Sequence, residues 1–372
     1  MSINRRTHQI ADIFRSAHLP EIITNTWQLR TLYAICKCRT AALGGHIDRC
    51  NHPDCHRLHL SYNSCRNRHC PRCQGHQREE WIQKREAELL NVEYYHVVFT
   101  LPDHLNGLCL QAPSTLYAML FRTAWQTLSG FGHNPKFLGA QTGMIAILHT
   151  WGSNMSLHPH LHCIVPAGGI NKCGKWKHTK GKGKYLFPVK SISKVFRAKF
   201  LEALNKSAML SSRLREKLTV KPWVVYAKRP FGGPQQVVEY LGRYTHKIAI
   251  SNHRIAEVSE VAVSFSVKDY RHGGRKSICQ LSTEEFIRRF SMHILPKGFT
   301  RIRHYGLLSS TGKKKYLAVV RQQTGTVKLM VNPEPLKLGM CPVCKKGKLI
   351  TIAVFRDRGP PFHLLNTIKQ VL

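Results

Sequence analysis

The sequence predicts an α+β protein of two unlike parts, a helical, cysteine-rich module at one end and a larger body of antiparallel-type strands and helices. Three observations carry this. Seven of the 13 cysteines fall between Cys36 and Cys73, a clustering that marks a small module. From Tyr94 onward, strand-like runs alternate with amphipathic helical ones in no regular βαβ series. The 372 residues are 42% hydrophobic, enough for at least one sizeable core, and the length suits two or three domains. The expected boundaries are 1–93 for the cysteine-rich module, 94–300 for the α+β body with a basic insertion near 170–222, and 301–372 for a basic C-terminal region.

In chain order, residues 10–43 have helix-like apolar spacing with few breakers. Residues 78–90 read as a charged helix with Trp81, Ile82, Leu89 and Leu90 at its apolar positions, so helices frame the cysteines. The β-branched and aromatic run 95–100 predicts a strand, 114–128 an amphipathic helix, and 144–150 and 157–165 two further strands. Gly152, Ser153 and Asn154 join the last two as a hairpin turn. A lysine- and glycine-rich loop over 172–184 leads to a helix over 193–210, a strand over 223–228, a helix over about 234–248 and an alternating strand over 261–267. From Leu295 the chain is basic without strong periodicity, and no long repeat is present.

Cys50 and Cys55, with four residues between them, and Cys70 and Cys73, with two, are short-spaced pairs 14 residues apart. That is close to the pattern with which zinc closes a tetrahedral thiolate site. Cys65 is a further candidate ligand, and His46, His52, His56, His69 and His76 are within reach by sequence. Nothing marks an open coordination position, so the ion expected here is structural. Cys341 and Cys344 look like half of another knuckle with no second half after them. Arg66, Arg68 and Arg72 concentrate positive charge on the module, suited to a nucleic-acid backbone or to a solvated face.

His158, His160 and His162 alternate along one predicted strand. All three project from one face, with Leu161, Cys163 and Val165 on the other. Three such imidazoles are hard to justify as packing, because each buried ring nitrogen needs its own partner, and at this spacing they can share one divalent cation. His149, at the end of the preceding strand, lies near them if the two strands pair. Tyr240 and Tyr244 share a helical face, and each is followed three residues later by a cation, Arg243 and Lys247. A phenol, with an ordinary pKa of about 10, needs such neighbours and a metal-polarised electrophile to act as a nucleophile. Taken alone, two tyrosines at this spacing read as packing.

At these residues the chain resembles a known family. His160-Leu161-His162 resembles the His-hydrophobe-His motif of HUH endonucleases. The stretches 148–154, 157–169 and 239–249 are similar to the two-tyrosine rolling-circle transposases of bacterial insertion sequences. Residues 63–74 resemble the zinc-binding region preceding the catalytic domain in that family, and 295–308 resemble its downstream signature. The resemblance implies an HUH endonuclease core, an antiparallel sheet flanked by helices, behind an N-terminal zinc-binding domain. It implies a transposase that nicks and joins single-stranded DNA. His160 and His162 would hold Mg²⁺ or Mn²⁺, with His149 and His158 as candidates for a further ligand. Tyr240 and Tyr244 would be the nucleophiles, one forming a 5′-phosphotyrosine and the other serving the target strand or the terminating cleavage. Partners would be single-stranded DNA at the transposon ends and target, with host helicase and replication functions. The nearest P-loop candidate, 306–314, has five residues instead of four between its glycines and lacks Ser or Thr after its first lysine. A plasmid relaxase or replication initiator would share the motif chemistry, while a non-enzymatic, zinc-dependent nucleic-acid-binding protein would leave these histidines and tyrosines as packing. The four-residue spacing from Cys50 to Cys55 departs from the commoner two of the family.

Composition agrees with a polyanionic partner. With 57 Lys and Arg against 20 Asp and Glu, the formal charge is +37, a surface that self-repels unless it meets nucleic acid or, as a distant second, an anionic membrane. No apolar run approaches the roughly 18 residues of a membrane span, and residues 1–14 lack an apolar signal region. A soluble, cytoplasmic bacterial protein, associated with the nucleoid during action, is therefore expected. The scattered acids form no convincing set for a carboxylate-triad transposase.

Overall fold

Valine-, isoleucine- and leucine-rich runs assemble at the centre of the chain into one antiparallel sheet. The computed structural model describes residues 8–73, 88–180, 186–231, 236–237, 248–269, 273–326, 339–362 and 364. In chain order the strands are β1 (Gly45–Cys50), β2 (Leu58–Tyr62), β3 (Tyr94–Thr100), β4 (Gly143–Trp151), β5 (Leu157–Pro166), β6 (Gly168–Ile170), β7 (Trp176–His178), β8 (Val225–Phe231), β9 (Ile255–Val258), β10 (Ala262–Asp269), β11 (Arg275–Ser282), β12 (Ile302–Gly306) and β13 (Leu349–Phe355). The central sheet has the order β12-β4-β5-β3-β8.

Alternation assigns each central strand two faces. Met144, Ala146 and Leu148 of β4, Leu161, Cys163 and Val165 of β5, and Tyr95, Val97 and Phe99 of β3 pack with the helices Pro113–His133 and Val189–Lys206 in the largest core. Ile145, Ile147, Ile164 and Tyr94 face the other way and join Leu307, Leu308 and Val320, the last from the helix Ser310–Thr324. Both faces are covered, which is why these strands are nearly unbroken apolar runs. By the same alternation His96, His149, His160 and His162 lie on the second face.

A separate core joins the N-terminal helices to the sheet β11-β10-β9. The helix Thr26–Lys37 starts at Asn25, whose side chain accepts from the backbone N–H groups of Trp27 and Gln28. Phe14 meets Phe290 of the helix Thr283–Met292 edge to face, centroids 5.0 Å apart. Met155, at the tip of the β4–β5 hairpin, is buried in this core. Three successive carbonyls of that turn are held by three side chains. Arg254 donates to Ser153 O, Arg289 to Asn154 O at 3.2 Å and His293 to Met155 O at 3.0 Å.

Several expectations meet a different outcome. The helix-like spacing over 10–43 resolves into three α-helices, Ile10–Arg15, Leu19–Ile22 and Thr26–Lys37. Residues 301–372 do not stand apart. β12 is an edge of the central sheet, the helix Ser310–Thr324 covers its second face, and β13 pairs with β1 in a third sheet ordered β13-β1-β2. Each strand there is short, and its register is set by distant partners that local periodicity does not see. Most of the expected helices over 78–90 and 234–248 lies outside the described residues. No helix among the described residues is long and apolar enough to cross a membrane.

His293 ties the hairpin tip to its strand. Its Nδ1 lies 3.0 Å from Thr150 Oγ1 and its Nε2 3.0 Å from Met155 O, so the hydroxyl donates to a neutral imidazole that donates to the carbonyl. Burial pushes its pKa from 6.5 down to about 4. The unfolded chain therefore takes up this proton first as pH falls, and the stability this group contributes is complete above about 6.5 and is lost between there and 4. Denaturant unfolding should show His293→Gln with a flatter pH dependence than the parent, by about 2 kcal/mol between pH 7 and pH 5. Equal slopes would refute the assignment.

Candidate functional site

The β4–β5 register sets His149 directly opposite His160, with His162 paired to Ile147 one turn of the pleat away. The His149 ring lies 5.5 Å from that of His160 and 4.6 Å from that of His162, and the His160 and His162 rings are 4.9 Å apart. One nitrogen from each of the three falls within 4.8 Å of the others, and the two Nε2 atoms of His160 and His162 are 3.2 Å apart. His149 and His162 are buried, and His160 is half-buried at the rim.

The outer nitrogens are occupied in a way that aims the inner ones. His160 Nδ1 donates to the carbonyl of His158 at 2.6 Å. His162 Nδ1 lies 2.9 Å from Nε2 of His96, a buried residue of β3 whose ring stacks on it at an interplanar angle of 10°. Such outer contacts fix the tautomer and orientation of a metal-binding imidazole. His149 is backed by Trp151, stacked at 4.7 Å, and the Arg301 guanidinium lies over that indole at 5.1 Å. The structure therefore brings together His149, His160 and His162, and leaves His158 exposed outside the cluster, contributing its carbonyl. His96 escaped the sequence reading because a single histidine in an apolar strand carries no pattern of its own. Three nitrogens and no carboxylate make a set suited to a divalent transition metal.

The cysteines form two clusters instead of one. Cys38, Cys65, Cys70 and Cys73 bring their sulfurs within 4.8 Å of one another, and so do Cys50, Cys55, Cys341 and Cys344. The measured sulfur separations, 3.5 Å for Cys38–Cys73, 3.6 Å for Cys65–Cys73, 3.6 Å for Cys50–Cys344 and 3.8 Å for Cys55–Cys341, match a thiolate tetrahedron. Zinc–sulfur bonds of about 2.3 Å give tetrahedral edges of about 3.8 Å. The expected grouping of Cys50, Cys55, Cys70 and Cys73 is thus corrected, for a simple reason of length. Cys50 and Cys55 lie at the tip of the β1–β2 hairpin, whereas Cys38 and Cys65 lie beyond its base. Five residues at about 3.3 Å of rise each separate them by roughly 17 Å. Hydrogen bonds, that from Cys70 foremost, pull the Cys65 thiol down to about 5, and the backbone N–H groups of Gly347 and Lys346 bring Cys344 down to about 6. One thiol in each cluster is thus biased toward the thiolate, the form that binds metal, while burial raises Cys38 and Cys50.

Two of the arginines expected to face DNA are turned to other work. Arg68 donates to the carbonyls of Phe299 at 2.6 Å and Pro296 at 3.1 Å, fastening the cysteine module to the segment before β12. Arg72 donates to the Cys38 carbonyl at 3.2 Å and braces the first cluster. Arg66 is exposed. Tyr240, Tyr244, Arg243 and Lys247 lie outside the described residues.

Comparison with known proteins finds transposases. Residues 143–315 match a family described as putative transposase, and residues 9–101 match the transposase zinc-binding domain. The chain is 41% identical over 394 residues to the putative transposase y4qJ of Sinorhizobium fredii (strain NBRC 101917 / NGR234), an alignment covering 95% of this chain and 97% of that protein. It is 28% identical over 333 residues to the transposase for insertion sequence element IS801 of Pseudomonas savastanoi pv. phaseolicola, covering 86% and 78%. No solved structure is significantly similar to the chain.

The first cluster discriminates between two cysteines one residue apart. Cys38 is a member and Cys36 is not. Cys38→Ser is expected to lower zinc content by about one ion per chain and to lower the melting temperature, while Cys36→Ser leaves zinc content unchanged; plasma mass spectrometry beside thermal unfolding reads both.

Proposed function

The chain belongs to the transposase family of the IS91 and IS801 insertion sequences and carries its zinc-binding domain, and on that premise we propose that it nicks and rejoins single-stranded DNA through a phosphotyrosine. The observation that carries this reading is the convergence of His149, His160 and His162 on one point at the rim of the central sheet. These three side chains would hold Mg²⁺ or Mn²⁺, with His96 positioning His162 and the His158 carbonyl positioning His160. When bound, the ion supplies Lewis acidity at the scissile phosphate.

Tyr240 and Tyr244 are the proposed nucleophiles, on the strength of the sequence motif. Val237 is buried in the core on the histidine side of the sheet. In the sequence, positions 237, 240 and 244 share one face of a helical period. In the step itself the phenol oxygen bonds to phosphorus and the bond from phosphorus to the 3′ oxygen breaks. The phenol proton goes to solvent, and the departing 3′ oxygen takes one up as a hydroxyl. Attack by a 3′-hydroxyl on the phosphotyrosine reverses the exchange and reseals a strand, so bond energy is conserved without a nucleotide cofactor. Arg243 and Lys247, three residues after each tyrosine, would favour the phenolate by their charge. Arg66 and the Lys172–Lys184 region would contact the phosphate backbone, the DNA being the single strands of transposon ends and target. Strand opening would fall to host helicase and replication functions, with the protein working in the bacterial cytoplasm at the nucleoid.

Two outcomes test this. Purified protein with a divalent ion should cut single-stranded hairpin DNA and become covalently attached to it, and Tyr240→Phe/Tyr244→Phe should abolish the adduct; cleavage surviving that change would sink the mechanism. Because all three ligands are imidazoles, Mn²⁺ should support the reaction at lower concentration than Mg²⁺, which prefers oxygen donors. His96→Ala should weaken Mn²⁺ binding roughly 10- to 100-fold, whereas His158→Ala, which keeps the carbonyl, should leave it nearly unchanged in a calorimetric titration.

A further inference from the structure

The matched zinc-binding domain ends at residue 101, yet one of the two thiolate clusters draws half its members from far beyond it. Cys341 and Cys344 close on Cys50 and Cys55 across nearly 300 residues of chain. We infer that this cluster is a second zinc site, and that its ion fastens the C-terminal segment around 339–355 to the N-terminal module.

Three independent features support it. The first is a backbone device shared by both clusters. Six non-glycine residues among those described have positive φ, and four of them directly follow a cluster cysteine. They are Arg39 after Cys38, His56 after Cys55, Arg66 after Cys65 and Lys345 after Cys344. Left-handed backbone at such residues is costly and persists where the surroundings over-determine it. Each cluster uses it twice, to turn the chain tightly behind a sulfur.

The second is the dressing of the sulfurs. Backbone N–H groups point at Cys344 from Gly347 at 3.3 Å and at Cys50 from His52 at 3.5 Å, as the Cys65 N–H points at Cys38 in the first cluster at 3.4 Å. Gly347 is forced by the approach of the two halves, since a Cβ there would lie 2.3 Å from Cys50 Sγ and 2.8 Å from His52 Cβ. Donors aimed at sulfur favour its charged form, and that is the form zinc takes.

The third is that burial does not explain why β13 stays. Its Ile350, Ile352 and Val354 are 53%, 39% and 77% exposed, so three of its apolar side chains face solvent and Phe355 is the one buried at its end. Ile47, Cys50, Cys341 and Phe355 are buried in this region, but none belongs to the three cores. Beyond these, β13 is held by strand pairing, the edge-to-face contact of Phe355 with Tyr62 at 5.9 Å, the Thr351 hydroxyl donating to Asp48 Oδ1 at 2.7 Å, and a few backbone contacts. A three-stranded sheet of five to seven residues per strand with so little beneath it is marginal in water, and small folds of this kind depend on metal or disulfide staples. Thiolates fit the ion by type, number and spacing.

The experiment uses the full chain with His160→Ala and His162→Ala, so that the histidine site does not add to the count. Two zinc ions per chain are expected, falling to one with Cys341→Ser/Cys344→Ser. A parallel measurement on the parent needs no cysteine variant. In alkylation followed by peptide mass mapping, Cys50, Cys55, Cys341 and Cys344 should resist iodoacetamide as a group until a chelator is added, while the exposed Cys173 reacts at once. A single zinc in the parent background, two in the double cysteine variant, or Cys341 and Cys344 reacting as fast as Cys173 would each overturn the inference. None of these outcomes bears on strand nicking, so this proposal and the nuclease reading fail separately.

Discussion

The pairing of β4 with β5 is the constraint on which the rest depends. In the observed register His149 faces His160 and the three imidazoles converge. A slip of one residue would turn His160 and His162 toward the helix-packed core and bring Leu161 to the histidine face. The apolar alternation along both strands sets a high cost on that slip, because every buried side chain would change sides. The tip is held as firmly as the body. Arg254, Arg289 and His293 each take one carbonyl of the turn, and Met155 is buried in the core that also contains Cys38, Cys70 and Cys73. The first thiolate cluster therefore shares a core with the tip of the same hairpin whose strands carry the histidines, and a zinc there would stiffen the platform.

The large positive charge divides accordingly. Part of it is internal scaffolding. Arg68, Arg72 and Arg254 direct guanidinium donors to backbone carbonyls, and Arg301 donates to Leu148 O at 3.1 Å while lying over Trp151. Burial, with Arg68 nearby, lowers the Arg301 pKa from 12.5 to about 9, the mark of a cation held for geometry in a place where charge is costly. A guanidinium can bridge several carbonyls at once with its planar fork, which an ammonium cannot. The cations available to a phosphate backbone are the remaining exposed ones, Arg66 among them.

How much was legible in the sequence follows from the range of each interaction. The histidine strand, the Gly152–Asn154 turn and the antiparallel body were readable because period-two alternation and turn residues are local signals. His149 was within reach because a hairpin makes its partner predictable. His96 was not, since β3 reaches β5 only through the sheet order. The zinc ligands show the same divide. Thiolate chemistry was plain from composition, but the grouping was not, because spacing along the chain cannot tell the tip of a hairpin from its base. No partner for Cys341 and Cys344 follows them in the sequence, because their partners Cys50 and Cys55 lie nearly 300 residues earlier. The three strands β1, β2 and β13 were missed for the same cause, being short and mixed in character.

Metal type and fold support are matched in this chain. The imidazole cluster sits in a large sheet covered on both faces, where packing alone can hold three rings to a point. The thiolate clusters lie where secondary structure is short and cores are thin, and there four sulfurs closing on one point replace the burial that small elements cannot supply. The second cluster carries this furthest, joining segments from opposite ends of the chain across a sheet whose third strand shows its apolar side to solvent. Chain ends brought together in this way convert a linear order of module, body and tail into a closed one. The helix Ser310–Thr324, which covers the histidine-bearing face of the central sheet, then lies in the chain between two segments held in sheets, β12 and β13.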